Sequence, residues 1–86
     1  MPTISTFFGI AIRMYFDEHG VPHFHAYYGE HSAVFEIQTL QVLEGSLPRR
    51  AQSLVREWAQ AHRQELMVNW VRAEEHRALN KISPLE

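Results

Sequence analysis

The hydrophobic pattern changes its period once along the chain, near residue 45. Before that point apolar and polar residues alternate, which is typical of strands that bury one face. The first alternating stretch covers residues 7–16 and predicts a single half-buried strand. Its inward set is Phe8, Ile10, Ile12, Met14 and Phe16, and its outward set is Phe7, Ala11, Arg13 and Tyr15. Residues 17–20, which end in a glycine, predict the turn that follows.

Two further strands are predicted after this turn, over residues 23–28 and residues 33–37. The four residues between them have the length of a hairpin loop and include Gly29. Residues 40–44 are compatible with a short fourth strand at the edge. The first half of the chain therefore predicts a small antiparallel sheet of three strands, or four if this segment joins it.

From Pro48 onward the period becomes helical, because apolar residues recur at steps of three and four. Ser46 is suited to cap this helix, and Pro48 is tolerated in its first turn. The apolar stripe runs without glycine or proline, yet one helix of about 28 residues would be about 42 Å long. One helix and two helices joined near residues 61–64 both remain open. The fold class predicted is α+β, a single domain over residues 1–86 with the helix or helix pair packed on one sheet face.

Composition narrows the possible chemistry. The 86 residues include no cysteine, which excludes disulfides, thiolate metal sites and a cysteine nucleophile. The apolar start is interrupted by Arg13 and does not resemble an export signal, and no segment approaches the ~20 apolar residues that span a bilayer. We expect a cytoplasmic protein with no membrane partner.

The charge is distributed unevenly along the chain. The formal net charge is −2, with −4 in residues 1–45 (one Arg against five acids) and +2 in residues 46–86 (seven bases against five acids). A general nucleic-acid binder would be basic overall. Any contact with an anionic partner must therefore be local.

Histidines are concentrated in the segment HGVPHFHAYYGEH, which holds four of the six in the chain. Alternation along the second strand places His23, His25 and Tyr27 on one face and Phe24 and Ala26 on the other. Because the apolar set must face the helix, the histidines are predicted to face solvent. The predicted polar face also includes Arg13, Tyr15 and Glu36.

This polar face predicts acid–base chemistry. Two imidazoles can act as general base and general acid, and an arginine can stabilise charge on a phosphoryl group. His23, His25 and Arg13 are therefore the predicted catalytic residues of a metal-free ribonuclease, in which the RNA's own hydroxyl attacks. No cofactor is needed for this reaction.

Four other residues are predicted to bind the RNA. Tyr15 and Tyr27 could stack an unpaired base. Arg49 and Arg50 stand in the first helical turn, where the helix dipole disfavours cations, and a phosphate would compensate for that cost.

Two other hypotheses for the function remain open. A metal ion could be held by His19, His23 and His25, with Asp17, Glu30 or His31 completing the ligand set. Alternatively, the chain is a non-catalytic interaction module, an antitoxin or an adaptor, whose helix binds another chain through Trp58 and Trp70. That other chain is either a different protein or a second copy in a homodimer.

Three segments carry a resemblance to a known family: MYFDEHGVPHFHAYYGEHSAVFEI, LEGSLPRRAQSLVREWAQAHRQELMVNW and KISPL. In combination they resemble the short bacterial proteins of DUF4160, a domain of unknown function, although that family more often has proline where this chain has Val21. The resemblance implies a component of a type II toxin–antitoxin pair, on the toxin side, with a cognate small protein encoded by a neighbouring gene. It assigns no catalytic residue.

Overall fold

A five-stranded antiparallel sheet followed by two helices makes up the computed structural model, which describes residues 2–86. The strands are β1 (Thr3–Phe7), β2 (Ile10–Arg13), β3 (His23–Tyr28), β4 (His31–Glu36) and β5 (Val42–Ser46), and they are neighbours in space in the same order. The helices are α1 (Arg49–Ala61) and α2 (Arg63–Glu74). The predicted α+β class is confirmed, with one or two strands more than the sequence pattern predicted.

The predicted first strand is a hairpin, β1–β2. Phe8 and Gly9 both have positive φ, 50° and 79°, and form a two-residue turn that pairs Phe7 with Ile10. Two positive φ values in a two-residue loop are the geometry that suits the twist of a hairpin. Phe7, predicted to face outward, is therefore buried beside Ile10, whereas Phe8 at the turn is exposed.

The edge strand β5 depends on a glycine. Gly45 has φ +73° and lies opposite Ala33 of β4. A Cβ at this position would come within 2.2 Å of the carbonyl oxygen of Ser32, so any side chain would collide with the neighbouring strand. The predicted fourth strand over residues 40–44 is thus present, shifted to Val42–Ser46.

One face of the sheet is covered by helices and forms the core. Trp58 of α1 packs against β1 and β3, with its ring centre 5.3 Å from that of Phe7 and 6.0 Å from that of Phe24. Trp58 and Val55 are fully buried, and Trp70 of α2 is 5 % exposed. The two indoles predicted to contact a partner chain are therefore packed inside this chain, and that prediction is corrected by their burial.

The helical region breaks at His62, which settles the choice between one helix and two. His62 has φ −124° and ψ 24°, outside helical values, and α2 begins at the next residue. Because of this break, α2 packs against the rest of the domain and buries Leu66, Asn69, Trp70 and Ala73. The longest dimension of the molecule is 33 Å. Within residues 2–86, neither helix has the length and apolar character needed to cross a membrane.

The segment after α2 is fastened to the body by polar contacts. The buried Asn69 side chain donates to the carbonyl of Asn80 (2.9 Å) and accepts from its N–H (2.8 Å). Trp58 Nε1 donates to the Ser83 carbonyl at 2.8 Å, and the Ile82 N–H donates to the Ile4 carbonyl at 2.8 Å. These bonds place the tail along β1 and bury Ile82.

Candidate functional site

The second face of the sheet carries no helix, and its side chains remain partly exposed in the part of the chain described. One row of register partners crosses all five strands on this face: Thr3, Arg13, His25, Val34 and Glu44. Side chains directly opposite one another on neighbouring strands lie on the same face and interact. The row therefore places Arg13 beside His25, as the sequence predicted.

The loop between β2 and β3 brings a carboxylate to the histidines. Glu18 Oε1 lies 3.3 Å from His23 Nε2 and accepts a hydrogen bond from His25 Nε2. One ligand atom from each of these three residues lies within 4.8 Å of the others. Glu18, His23 and His25 are called the triad below. They form a compact group of two imidazoles and one carboxylate.

The His23 side chain is more buried than the alternation pattern predicts. It lies beyond the last β3 residue that pairs with β2, which is His25 opposite Arg13. Trp70 fills the space left there, with the two ring centres 5.0 Å apart. The His23 side chain is only 11 % exposed and that of His25 21 %, so the predicted solvent-facing pair shares one face but is largely enclosed.

The hydrogen bonds of His23 define where its lone pair points. His23 Nδ1 is 2.7 Å from the carbonyl oxygen of Val21, which only accepts, so Nδ1 carries the hydrogen. In the neutral ring the Nε2 lone pair then faces the Glu18 oxygen. Two lone pairs at 3.3 Å repel, and the arrangement is favourable only with a proton on Nε2 or a cation between the two atoms.

The triad keeps Glu18 ionised. Partial burial raises the pKa of the Glu18 carboxyl. When the two rings are protonated, their hydrogen bonds to Glu18, first that of His25 and then that of His23, and their positive charges outweigh burial. The net result is a pKa lowered from the ordinary 4.5. Glu18 therefore carries a negative charge at neutral pH.

Two tyrosines that are hydrogen-bonded to each other lie beside His25. The hydroxyls of Tyr15 and Tyr27 are 2.7 Å apart, and Tyr15 meets the His25 ring edge-on with ring centres 4.8 Å apart. Partial burial and the hydrogen bond with Tyr15 raise the pKa of Tyr27 to about 12, so this phenol stays neutral at physiological pH. The Arg13 guanidinium lies 5.1 Å from the centre of the Tyr27 ring, which leaves that face of Tyr27 unavailable to a stacked base.

Arg13 is oriented without being neutralised. Its Nε donates to Thr3 Oγ1 at 3.2 Å, and no ion pair joins it to a carboxylate within residues 2–86. The two terminal nitrogens of the guanidinium remain available for an oxyanion.

Some predicted site residues lie elsewhere. Arg49 and Arg50 are exposed at the start of α1, and Arg50 lies near Phe8 and Tyr28 on the helix side of the sheet. The sheet therefore separates them from His25, and the prediction that they hold RNA at the histidine site is not supported by this placement.

The predicted metal ligand His19 is exposed in the turn and lies outside the triad. The residue that contacts the two histidines is instead its neighbour Glu18, which the sequence pattern did not single out. Adjacent residues in a turn point in different directions, and the alternation rule does not apply there. The available signal was a carboxylate in the turn immediately before the His-x-His strand.

Comparison with known proteins identifies a family but no activity. The model of a domain of unknown function, DUF4160, matches residues 9–71, a span that includes the whole triad and Arg13. No curated protein and no solved structure matches the chain.

Proposed function

We propose that this chain, which belongs to the DUF4160 family of domains of unknown function, is the RNA-cleaving toxin of a bacterial toxin–antitoxin pair. The observation that carries the proposal is the cross-strand pairing of Arg13 with His25, whose ring is fixed by Glu18. The reaction would take place in the cytoplasm, on the sheet face that no helix covers.

The arrangement supplies parts that RNA cleavage needs. A carboxylate that orients an imidazole is a recurring device of acid–base catalysis. The guanidinium of Arg13 can bind a phosphate through two nitrogens and stabilise the negative charge that develops on it. An uncovered sheet face also admits an extended polymer, which a closed cavity would exclude.

The contacts of His23 argue against the proton-transfer role predicted for it. Both nitrogens of His23 are engaged, one with Val21 and one facing Glu18, so His23 is not free to exchange protons with a substrate. The Glu18 carboxylate also repels an incoming phosphate. A positive charge at the triad would offset this repulsion.

The test is inducible expression in a bacterium, with the His25→Ala and Arg13→Gln variants beside wild type. His31→Ala is the matched control, because His31 is exposed at the start of β4 and outside the triad. We expect wild type and His31→Ala to arrest growth and fragment cellular RNA, and the other two variants to do neither. Normal growth with intact RNA in cells expressing wild type would reject the proposal.

A second candidate, the interaction module, is favoured by one observation. Val68 and Val71 on the outer face of α2 are 50 % and 45 % exposed, with Met67 beside them. This surface, and not the buried tryptophans, would bind the cognate protein encoded by the neighbouring gene. The interaction hypothesis predicts that expression of the chain alone is harmless and that the chain co-purifies with the cognate protein. The Val68→Asp substitution should abolish this co-purification. A dimer of the chain by itself would instead assign the surface to a second copy.

A further inference from the structure

We propose that Glu18, His23 and His25 bind a divalent transition-metal ion through one carboxylate oxygen and two imidazole Nε2 atoms. Metal binding itself depends only on the triad, whereas a role for the ion in catalysis rests on the function proposed above. The site lies at the edge of the open face, next to Arg13.

The distances suit such an ion. Zinc and related ions bind imidazole nitrogens and carboxylate oxygens at roughly 2.0–2.2 Å, which places neighbouring ligand atoms roughly 3–4 Å apart. His23 Nε2 and Glu18 Oε1 are 3.3 Å apart, and the ligand atoms of all three residues lie within 4.8 Å. A short movement of the side chains is enough to surround an ion.

The hydrogen-bond pattern of His23 is that of a metal ligand. Metal-bound histidines usually donate their second ring nitrogen to a carbonyl or carboxylate, which fixes the tautomer and aims the other nitrogen at the metal. His23 Nδ1 makes this bond to Val21. A cation between His23 Nε2 and Glu18 would accept both lone pairs and remove their repulsion while leaving the ring neutral.

Charges of both signs lie beside the triad. Glu36, the register partner of His23, favours a cation, whereas the Arg13 guanidinium opposite His25 opposes one. Trp70 packs against His23 and shields that side of the triad from water. Because three ligands converge among residues 2–86, one coordination position is left for water or substrate, as in catalytic zinc sites.

The ion would offset the repulsion between the Glu18 carboxylate and an RNA phosphate. In the proposed reaction the 2′-hydroxyl oxygen bonds to phosphorus and the bond to the 5′ oxygen breaks. The 2′-hydroxyl proton would pass to a hydroxide and the leaving oxygen would take a proton from water, which gives a 2′,3′-cyclic phosphate and a 5′-hydroxyl. An ion held by Glu18, His23 and His25 would make such a hydroxide available near neutral pH. The charge of the ion offsets Glu18 and, with Arg13, stabilises the phosphorus centre.

The test is Zn²⁺ titration of the full chain, purified without a histidine tag and stripped with a chelator, followed by calorimetry. We expect one ion per chain for wild type and a loss of affinity of at least about tenfold in Glu18→Gln and His23→Ala. Asp17→Asn and His31→Ala should bind as wild type does, because both residues are exposed and lie outside the triad. Circular dichroism before titration restricts the comparison to variants that fold.

The possible outcomes separate the site from the function. Absence of binding by wild type, or binding that neither triad substitution weakens, would overturn the metal site. Growth arrest by wild type together with absent Zn²⁺ binding would overturn the site and leave the ribonuclease proposal standing. Tight binding that depends on the triad, together with normal growth, would support the site and reject the ribonuclease.

Discussion

Trp70 of α2 packs against His23 of β3, with their ring centres 5.0 Å apart. The helix layer and the polar sheet face therefore meet at the N-terminal end of β3, where β2 no longer provides a neighbour. This contact links the triad to the core, because Trp70 is itself buried.

Trp70 should report on metal binding through its fluorescence. A Co²⁺ ion held by His23 would lie next to the indole and quench it, whereas Trp58 is packed against Phe7 and Phe24 under the sheet. We expect quenching in wild type and most of it lost in Trp70→Phe. Unchanged quenching in Trp70→Phe, with the protein folded by circular dichroism, would place the ion away from His23.

The contribution of Glu18 to stability should depend on pH. The pKa of Glu18 is lowered in the folded state from 4.5, so its ionised form stabilises the fold above that value. This stabilisation should be lost as pH falls through the lowered folded-state pKa. Urea unfolding of wild type and Glu18→Gln, with chelator present, should show a larger difference in unfolding free energy at pH 6 than at pH 3. Equal differences at the two pH values would contradict the carboxylate's ionic role.

Gly45 should be far less tolerant of substitution than Gly29. Both have positive φ, but a Cβ at Gly29 meets nothing within 4 Å, whereas at Gly45 it meets the Ser32 carbonyl oxygen at 2.2 Å. We expect Gly29→Ala to cost about 1 kcal/mol of unfolding free energy from the backbone conformation alone. Gly45→Ala should cost roughly 1–3 kcal/mol more from the clash. Thermal unfolding of both variants checks this, and equal losses would mean that β5 is not held as described.

Asn69 should be the residue that fastens the tail. It is fully buried, and its amide makes two hydrogen bonds to the Asn80 backbone. Replacement by Ala should cost roughly 1–3 kcal/mol and increase proteolysis after residue 77. Gln64→Ala, at an exposed position of the same helix, is the control. Equal protease sensitivity in the two variants would show that the two Asn69–Asn80 hydrogen bonds do not hold the tail.

The sequence predicted the shared face of His23, His25 and Tyr27 because strand alternation has a period of two and Phe24 must be buried. It did not predict the β1–β2 hairpin. The two-residue turn places Phe7 and Ile10, three residues apart, on the same face, so the alternation changes phase there and Phe7 was wrongly predicted to face outward. Within β2 the alternation holds, and Ile10 and Ile12 were correctly predicted to lie in the core.

The hydrophobic periodicity could not predict the positions of two site residues, Glu18 and Trp70. The direction of Glu18 depends on how residues 14–22 fold over β3, and that path is set by tertiary contacts. The position of Trp70 depends on the break at His62, which no glycine or proline marks. A continuous helix would have carried Trp70 away from the body and left it to a partner chain.

The most direct test of the triad as a metal site is anomalous X-ray diffraction from crystals of the untagged chain grown with Zn²⁺. The account predicts one strong peak per chain, bonded at about 2.0–2.2 Å to Glu18 Oε1 and to the Nε2 atoms of His23 and His25. A peak at His31 or His62 alone, or a triad with no peak under saturating Zn²⁺, would contradict it.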